Sequence, residues 1–137
     1  MNGVVTVEEV DSEGLSSVGI MASITATLIE CWCLTQLQWV TYETDNGPAL
    51  WARVVKQLTG YLFGLWTSWM LTGKSSQEAF FVRCDHTTMT AADIRDGYLI
   101  CLIGVATVKP SEFVHYRIRI RLQTRQQPSR PTARLLV

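Results

Sequence analysis

The clearest pattern along this chain is an alternation of apolar and polar side chains over residues 113–122, FVHYRIRIRL. On a strand with a period of two residues, one side carries Val114, Tyr116, Ile118, Ile120 and Leu122. The other side carries Phe113, His115, Arg117, Arg119 and Arg121. The pattern predicts one strand with an apolar face that is buried and a polar face that is exposed to solvent. At about 3.3 Å per residue it would extend about 33 Å, and such a strand near a chain end is suited to joining another subunit's sheet.

Two further strands are predicted upstream. Residues 79–84 alternate in the same way, and residues 98–105, YLICLIGV, are apolar on both faces, which predicts an inner strand. Between them, Thr90 with Asp93 three residues later predicts a capped helical turn over 90–97. Near the start of the chain, VVTVEEV is compatible with one more strand.

A sustained amphipathic stripe predicts a helix over residues 48–72. Pro48 suits its first turn, Asn46 or Gly47 can cap it, and Gly73 supplies a stop. The residues expected to face the core, spaced by three and four, are Trp51, Val55, Leu58, Leu62, Leu65 and Trp69.

An earlier helix is predicted over residues 18–40, which contain one charged residue, Glu30. At about 1.5 Å per residue this helix would be about 35 Å long, enough to cross a bilayer. Its many Ser, Thr and Gln residues, and the lack of Lys or Arg before or beside it, favour a buried helix; a membrane segment is the alternative. The side expected to be buried carries Ile24, Leu28, Cys31 and Trp32.

These elements predict an α/β (α+β) fold, with two long helices packed on a small mixed β-sheet. The domain is expected over residues 18–122. An N-terminal arm, residues 1–17, precedes it, and a flexible polar tail, residues 123–137, follows it.

Charge is split between the two ends of the chain although the formal net charge is zero. Residues 1–50 hold seven acidic side chains and no Lys or Arg, while residues 117–137 hold six arginines and no acid. Solvated surface accounts for such a split, which would also suit head-to-tail contact between copies. The neutral balance gives no reason to expect nucleic acid as a partner.

Catalysis and metal binding are not expected. The four cysteines lie in apolar runs without zinc-site spacing, which predicts reduced core thiols of a cytoplasmic protein. Cys84, Asp85 and His86 are consecutive, but neighbours on a strand point to opposite faces, so a thiol and its base would not meet. We expect Cys84 to face inward and Asp85 to close the strand with Thr87 or Thr88. No cofactor is expected.

With these residues in view, the chain resembles the C-terminal domain of the contractile tail sheath proteins of phages and phage-like injection systems. The resemblance covers about residues 28–122. The matching stretches, in the family's order, are IE at 29–30, LQWVTYET at 37–44, LWARV at 50–54, EAFFVRCDHTTMT at 78–90, DG-Y-LIC-IGVA at 96–106 and KPSEFVHYRIRI at 109–120.

The resemblance implies a non-enzymatic structural subunit that lies against an inner tube and exchanges terminal strands with neighbouring subunits. Its partners would be other sheath subunits and the inner tube protein. It would be found in the bacterial cytoplasm during assembly and then in the phage tail or injection-system particle. The implied subunit interface comprises Phe113, Val114, Tyr116, Arg117, Ile118, Arg119, Ile120, Arg121 and Leu122.

Three alternatives stay open. The first alternative is a truncated sheath remnant that does not assemble, since full-length sheath proteins have further domains. A small protein anchored in a membrane by residues 18–40 is the second alternative. A small enzyme using Cys84 or His86 is the third.

Overall fold

The computed structural model describes residues 4–10 and 20–122. Residues 1–3 and 11–17 of the predicted arm, residues 18–19 of the predicted first helix and the predicted tail 123–137 lie outside the described residues. The elements, in chain order, are β1 (Val4–Val10), α1 (Ile20–Gln36), a 3-10 helix (Gln38–Tyr42), α2 (Pro48–Thr67), α3 (Ser76–Ala79), β2 (Phe80–Arg83), α4 (Ala91–Arg95), β3 (Tyr98–Val105) and β4 (Val114–Arg121). The predicted α+β class is confirmed.

The four strands form one sheet in the order β1-β4-β3-β2, and every pair in it is antiparallel. The prediction of a mixed sheet is therefore wrong, because the sheet is antiparallel throughout the described residues. Residues 106–113 link β3 to β4, and a link this short cannot make the crossover that a parallel pair needs.

One face of the sheet forms the core with the long helices. On this face Leu99 lies opposite Ile120, and Cys101 lies opposite Ile118. All four side chains are fully buried. The dry side of the predicted strand is thus confirmed, and the same core contains Ile29 of α1 and the inward residues of α2.

Helix α2 begins at Pro48, as predicted, with Gly47 as its N-cap. It ends at Thr67, five residues before the predicted end. Trp69 has a φ of 67° and is 89% exposed, so its predicted place in the buried stripe is wrong. The chain turns here because the Met70 N–H donates to the Leu65 carbonyl, which ends the helical pattern. The residues buried along α2 are Leu50, Trp51, Val54, Leu58, Leu62 and Leu65.

Helix α1 buries a different side from the predicted one. Its buried residues include Thr25, Ile29 and Cys33, spaced four apart, whereas Ile24 and Leu28 are exposed. The prediction failed because Thr25 occupies a core position, so the apolar residues beside it defined the wrong stripe. The helix is also shorter than predicted, since a 3-10 helix follows it after Gln36. Among residues 4–10 and 20–122, no helix is long and apolar enough to cross a membrane.

Aromatic and amide groups join α1 to α2. The rings of Trp32 and Tyr61 stack with centroids 4.4 Å apart, and the Tyr61 hydroxyl donates to the Leu28 carbonyl at 3.2 Å. The Trp39 indole donates to Gln57 Oε1 at 2.8 Å. The two helices therefore lie side by side over the sheet.

Candidate interaction surface

Strand β4, which the sequence suggested would be offered to another subunit, lies inside its own sheet. It pairs with β1 on one side and with β3 on the other. The expectation of a free margin along β4 is therefore wrong for this chain. The physical reason is that alternation of side chains describes the two faces of a sheet, while the hydrogen-bonding edges lie in its plane and leave no mark on that pattern.

The nine residues of the predicted interface divide between the two faces of the sheet. Tyr116, Ile118, Ile120 and Leu122 are buried in the core of this chain. Phe113, Val114 and Arg117 are half-buried, and Arg119 and Arg121 are exposed. The apolar members therefore hold β4 in its own fold, and the arginines are the members that solvent can reach.

Strand β1 is an edge strand, because β4 is its one partner in the described sheet. Val5 lies opposite Ile120 and packs into the core, while Val7 lies opposite Ile118. A shift of one residue would turn these apolar side chains to the wet face, so the alternation fixes the register. The outer edge of β1 is free of strand pairing in the part of the chain that is described.

We use the name arginine face for seven exposed or half-buried residues on the sheet face opposite the core: Val4, Thr6, Glu8, Tyr98, Arg117, Arg119 and Arg121. The three arginines follow one another along β4, yet their partners differ. Arg117 pairs with Glu8 across β1 and β4, with Nη1 and Oε2 2.6 Å apart. Arg119 and Arg121 instead lie against the ring of Tyr98, at 4.8 and 5.3 Å from its centroid.

The consecutive Cys84, Asp85 and His86 line a shallow depression of about 460 Å³ beside Trp51 of α2. Cys84 is buried, as predicted, while His86 is exposed and contacts the edge of the Trp51 ring. Cys84 therefore packs into the core, while the His86 ring lies against Trp51 at the surface.

The predicted strand closure by Asp85 is confirmed. The Thr87 N–H donates to Asp85 Oδ1 at 2.8 Å, and the Thr87 hydroxyl donates to the same oxygen. The Thr88 hydroxyl donates to the Ile100 carbonyl at 2.7 Å, which ties the turn to β3. The hydrogen bonds from Thr87 lower the pKa of Asp85, since they stabilise its ionised form.

Three of the four thiols belong to the core and one does not. Cys33, Cys84 and Cys101 are buried, and Cys31 is exposed. Burial, with a smaller contribution from Glu30, raises the pKa of Cys33 to about 12. A hydrogen bond with Cys84 and burial raise the pKa of Cys101. Within the described ranges, no group of His, Cys, Asp and Glu side chains is arranged to hold a metal ion.

Comparison with known proteins finds a similarity to a solved structure. No protein-family model and no curated protein matches this sequence. A chain in the cryo-EM structure of the anti-feeding prophage (AFP) baseplate, 6-fold symmetrised, is 34% identical to it. The match covers 61% of this chain and 22% of that chain, with a TM-score of 0.45. The overlap therefore spans less than a quarter of the baseplate protein's own length.

Sequence reasoning missed two features of this surface. It recognised VVTVEEV as compatible with a strand but did not place it against β4. It read Tyr98 as a strand residue without linking it to Arg119 and Arg121. Neither feature can be read from the sequence without knowing which strands pair. Tyr98, for example, lies beside Arg121 only because β3 and β4 are neighbours in this register.

Proposed function

We propose that this chain is a structural subunit of a phage-like injection system, built like the C-terminal domain of a contractile tail sheath. Its neighbours would be other sheath subunits, surrounding an inner tube protein. The 34% identity with a protein of the AFP baseplate supports a structural component of that kind of particle and does not single out the sheath. The sheath assignment rests on the ordered stretches of resemblance between residues 28 and 122.

The observation that carries the proposal is the position of β1. It lies at the edge of the sheet and pairs with β4, and its register is set by its own apolar side chains. A strand that pairs on one side only can be supplied by a neighbouring copy, with the same hydrogen bonds and the same contacts.

We therefore place the exchange at β1 and not at β4. Strand β4 is the acceptor: its edge receives β1 from a neighbouring subunit, and its buried residues fix the register. The Glu8–Arg117 ion pair would then join two subunits. If each chain donates β1 to the next, the contact is head-to-tail and produces an open series of subunits, as a tubular sheath requires.

A labelled peptide with the β1 sequence, residues 4–10, tests strand donation directly. A chain that lacks residues 1–10 leaves the acceptor edge of β4 unpaired. We expect the peptide to bind this shortened chain, because backbone ladder bonds and the Val5 pocket are then free. Fluorescence anisotropy gives the affinity.

A peptide with Val5→Asp and Val7→Asp serves as the matched control, since it keeps the length and loses the apolar contacts. Binding of the native peptide but not of the control supports strand donation. Equal binding of both peptides, or of neither, contradicts it. Ile118→Pro is unsuitable as an assembly test, because Ile118 is fully buried in a central strand and the change would unfold the domain.

A further inference from the structure

The arginine face contains a cavity of about 250 Å³ that is distinct from the depression at Cys84. It is lined by Val4, Thr6, Tyr98, Arg119 and Arg121. Two of these residues come from β1, two from β4 and one from β3, so three strands build the cavity. Its size suits a single side chain rather than a folded segment.

The charge in this cavity is positive and has no carboxylate opposite it. The ion pairs of the described residues join Arg117 to Glu8, Arg53 to Glu43 and Arg95 to Asp96, which leaves Arg119 and Arg121 without one.

Asp93 interacts electrostatically with Arg119, but its own carboxylate is held by Thr90. It accepts a hydrogen bond from the Thr90 N–H at 2.9 Å, as part of the cap of α4. Asp93 therefore does not fill the cavity.

The two guanidinium groups are held in place before any ligand arrives. Both lie over the Tyr98 ring, and Arg121 Nη1 donates to the Tyr98 hydroxyl at 3.1 Å. Fixing long side chains in advance lowers the entropy lost on binding. Guanidinium groups arranged in this way match the planar oxygens of a carboxylate.

We propose that this cavity binds a carboxylate side chain from an acidic segment of a partner protein. Nucleic acid fits the site less well, because Tyr98 already contacts both guanidinium groups and is not free to stack a base.

The cavity exists only when β1 lies on β4, because Val4 and Thr6 form one wall. In the single chain β1 completes this wall itself. If β1 is exchanged, as proposed above, the walls of the cavity come from two subunits. The acidic segment would then bind only where β1 of one subunit has paired with β4 of the next. Only this last consequence rests on the proposed function.

The test uses the intact chain and an oligoglutamate peptide, with binding followed by isothermal titration calorimetry. Arg119→Gln with Arg121→Gln should weaken binding at least about tenfold, since charge-assisted bidentate contacts are lost. Arg95→Gln with Lys109→Gln removes the same charge elsewhere and should change the affinity less than about twofold. All four side chains belong to exposed residues, so both variants should fold.

Loss of binding in the first variant alone supports the site. Equal loss in both variants would show a bulk charge effect and overturn it, as would failure of the intact chain to bind the peptide. Tighter binding of oligothymidylate than of oligoglutamate would overturn it in favour of nucleic acid. Sedimentation of the same samples reports self-association separately, so failure of this site and failure of strand exchange are distinguishable.

Discussion

Glu8 of β1 and Arg117 of β4 lie opposite one another in the sheet, with a carboxylate oxygen 2.6 Å from a guanidinium nitrogen. Both side chains are about half exposed, at 54% and 43%, so water screens the pair. We expect Glu8→Gln to lower the free energy of unfolding by about 0.5 kcal/mol, and less at high salt. Urea unfolding at low and high salt measures this. Glu9→Gln is the control, because Glu9 forms no ion pair among the described residues.

The two faces of β4 predict opposite sensitivities to substitution. Ile118→Ala should cost about 2–5 kcal/mol, because it removes a fully buried side chain and leaves a cavity. Arg119→Ala, one residue further along, should change stability by no more than about 0.5 kcal/mol, since Arg119 is exposed. Guanidinium unfolding of both variants checks the difference. Similar costs at the two positions would show that the alternation does not separate core from solvent.

Gly104 of β3 and Phe81 of β2 are so close that an added methyl group would collide with the ring. Gly104→Ala should destabilise the domain by about 1–3 kcal/mol through overpacking. Gly60→Ala is the matched substitution, because Gly60 lies in α2 with open space around it. It should stabilise the domain by about 0.5–1 kcal/mol through helix propensity. Thermal unfolding measures the change in stability for each variant. Two changes of the same sign would contradict the packing described here.

The exposed and buried cysteines should react differently with a thiol reagent. Cys31 is exposed, while the other three thiols are buried. The native protein should therefore take up one label, and Cys31→Ser should take up none until denaturant is added. Intact-mass spectrometry counts the labels. Rapid labelling of a second site in the native protein would contradict the buried positions.

Acid should remove the contribution of the α4 cap. Hydrogen bonds from the backbone and side chain of Thr90 lower the pKa of Asp93 from its ordinary value of 3.8. A lowered carboxyl pKa means that the stabilisation is fully present above about pH 3.8 and is lost as the pH falls through the folded-state pKa. Asp93→Asn should therefore be less stable than the native protein near neutrality, and the two should converge at low pH. A constant gap in unfolding titrations down to that range would contradict this.

The strands and the cap were predictable because their signals are local. Strand β3 has the predicted bounds, and β4 is one residue shorter at each end, since a period of two is visible within a few residues. Thr90 and Asp93 form the expected cap because both partners lie within one turn.

The arrangement of the sheet was not predictable in the same way. Whether β4 lies at an edge depends on Val4–Val10, more than a hundred residues away along the chain. The arginines of β4 mark the solvent-facing side of the strand and carry no information about whether its edge is free. In α1, a buried Thr25 concealed the core side from any argument based on hydrophobicity alone.

Disulfide trapping across β1 and β4 tests the central claim most directly. Glu8 and Arg117 are cross-strand partners, and opposite residues of an antiparallel pair lie about 4.5–5.5 Å apart, within disulfide range. Chains with Glu8→Cys and mass-tagged chains with Arg117→Cys, both carrying Cys31→Ser, are refolded together and oxidised. Peptide mapping then identifies the linked positions. Strand exchange predicts a disulfide between positions 8 and 117 of two different chains. It would be contradicted if no mixed product formed while a single chain carrying both substitutions closed only on itself.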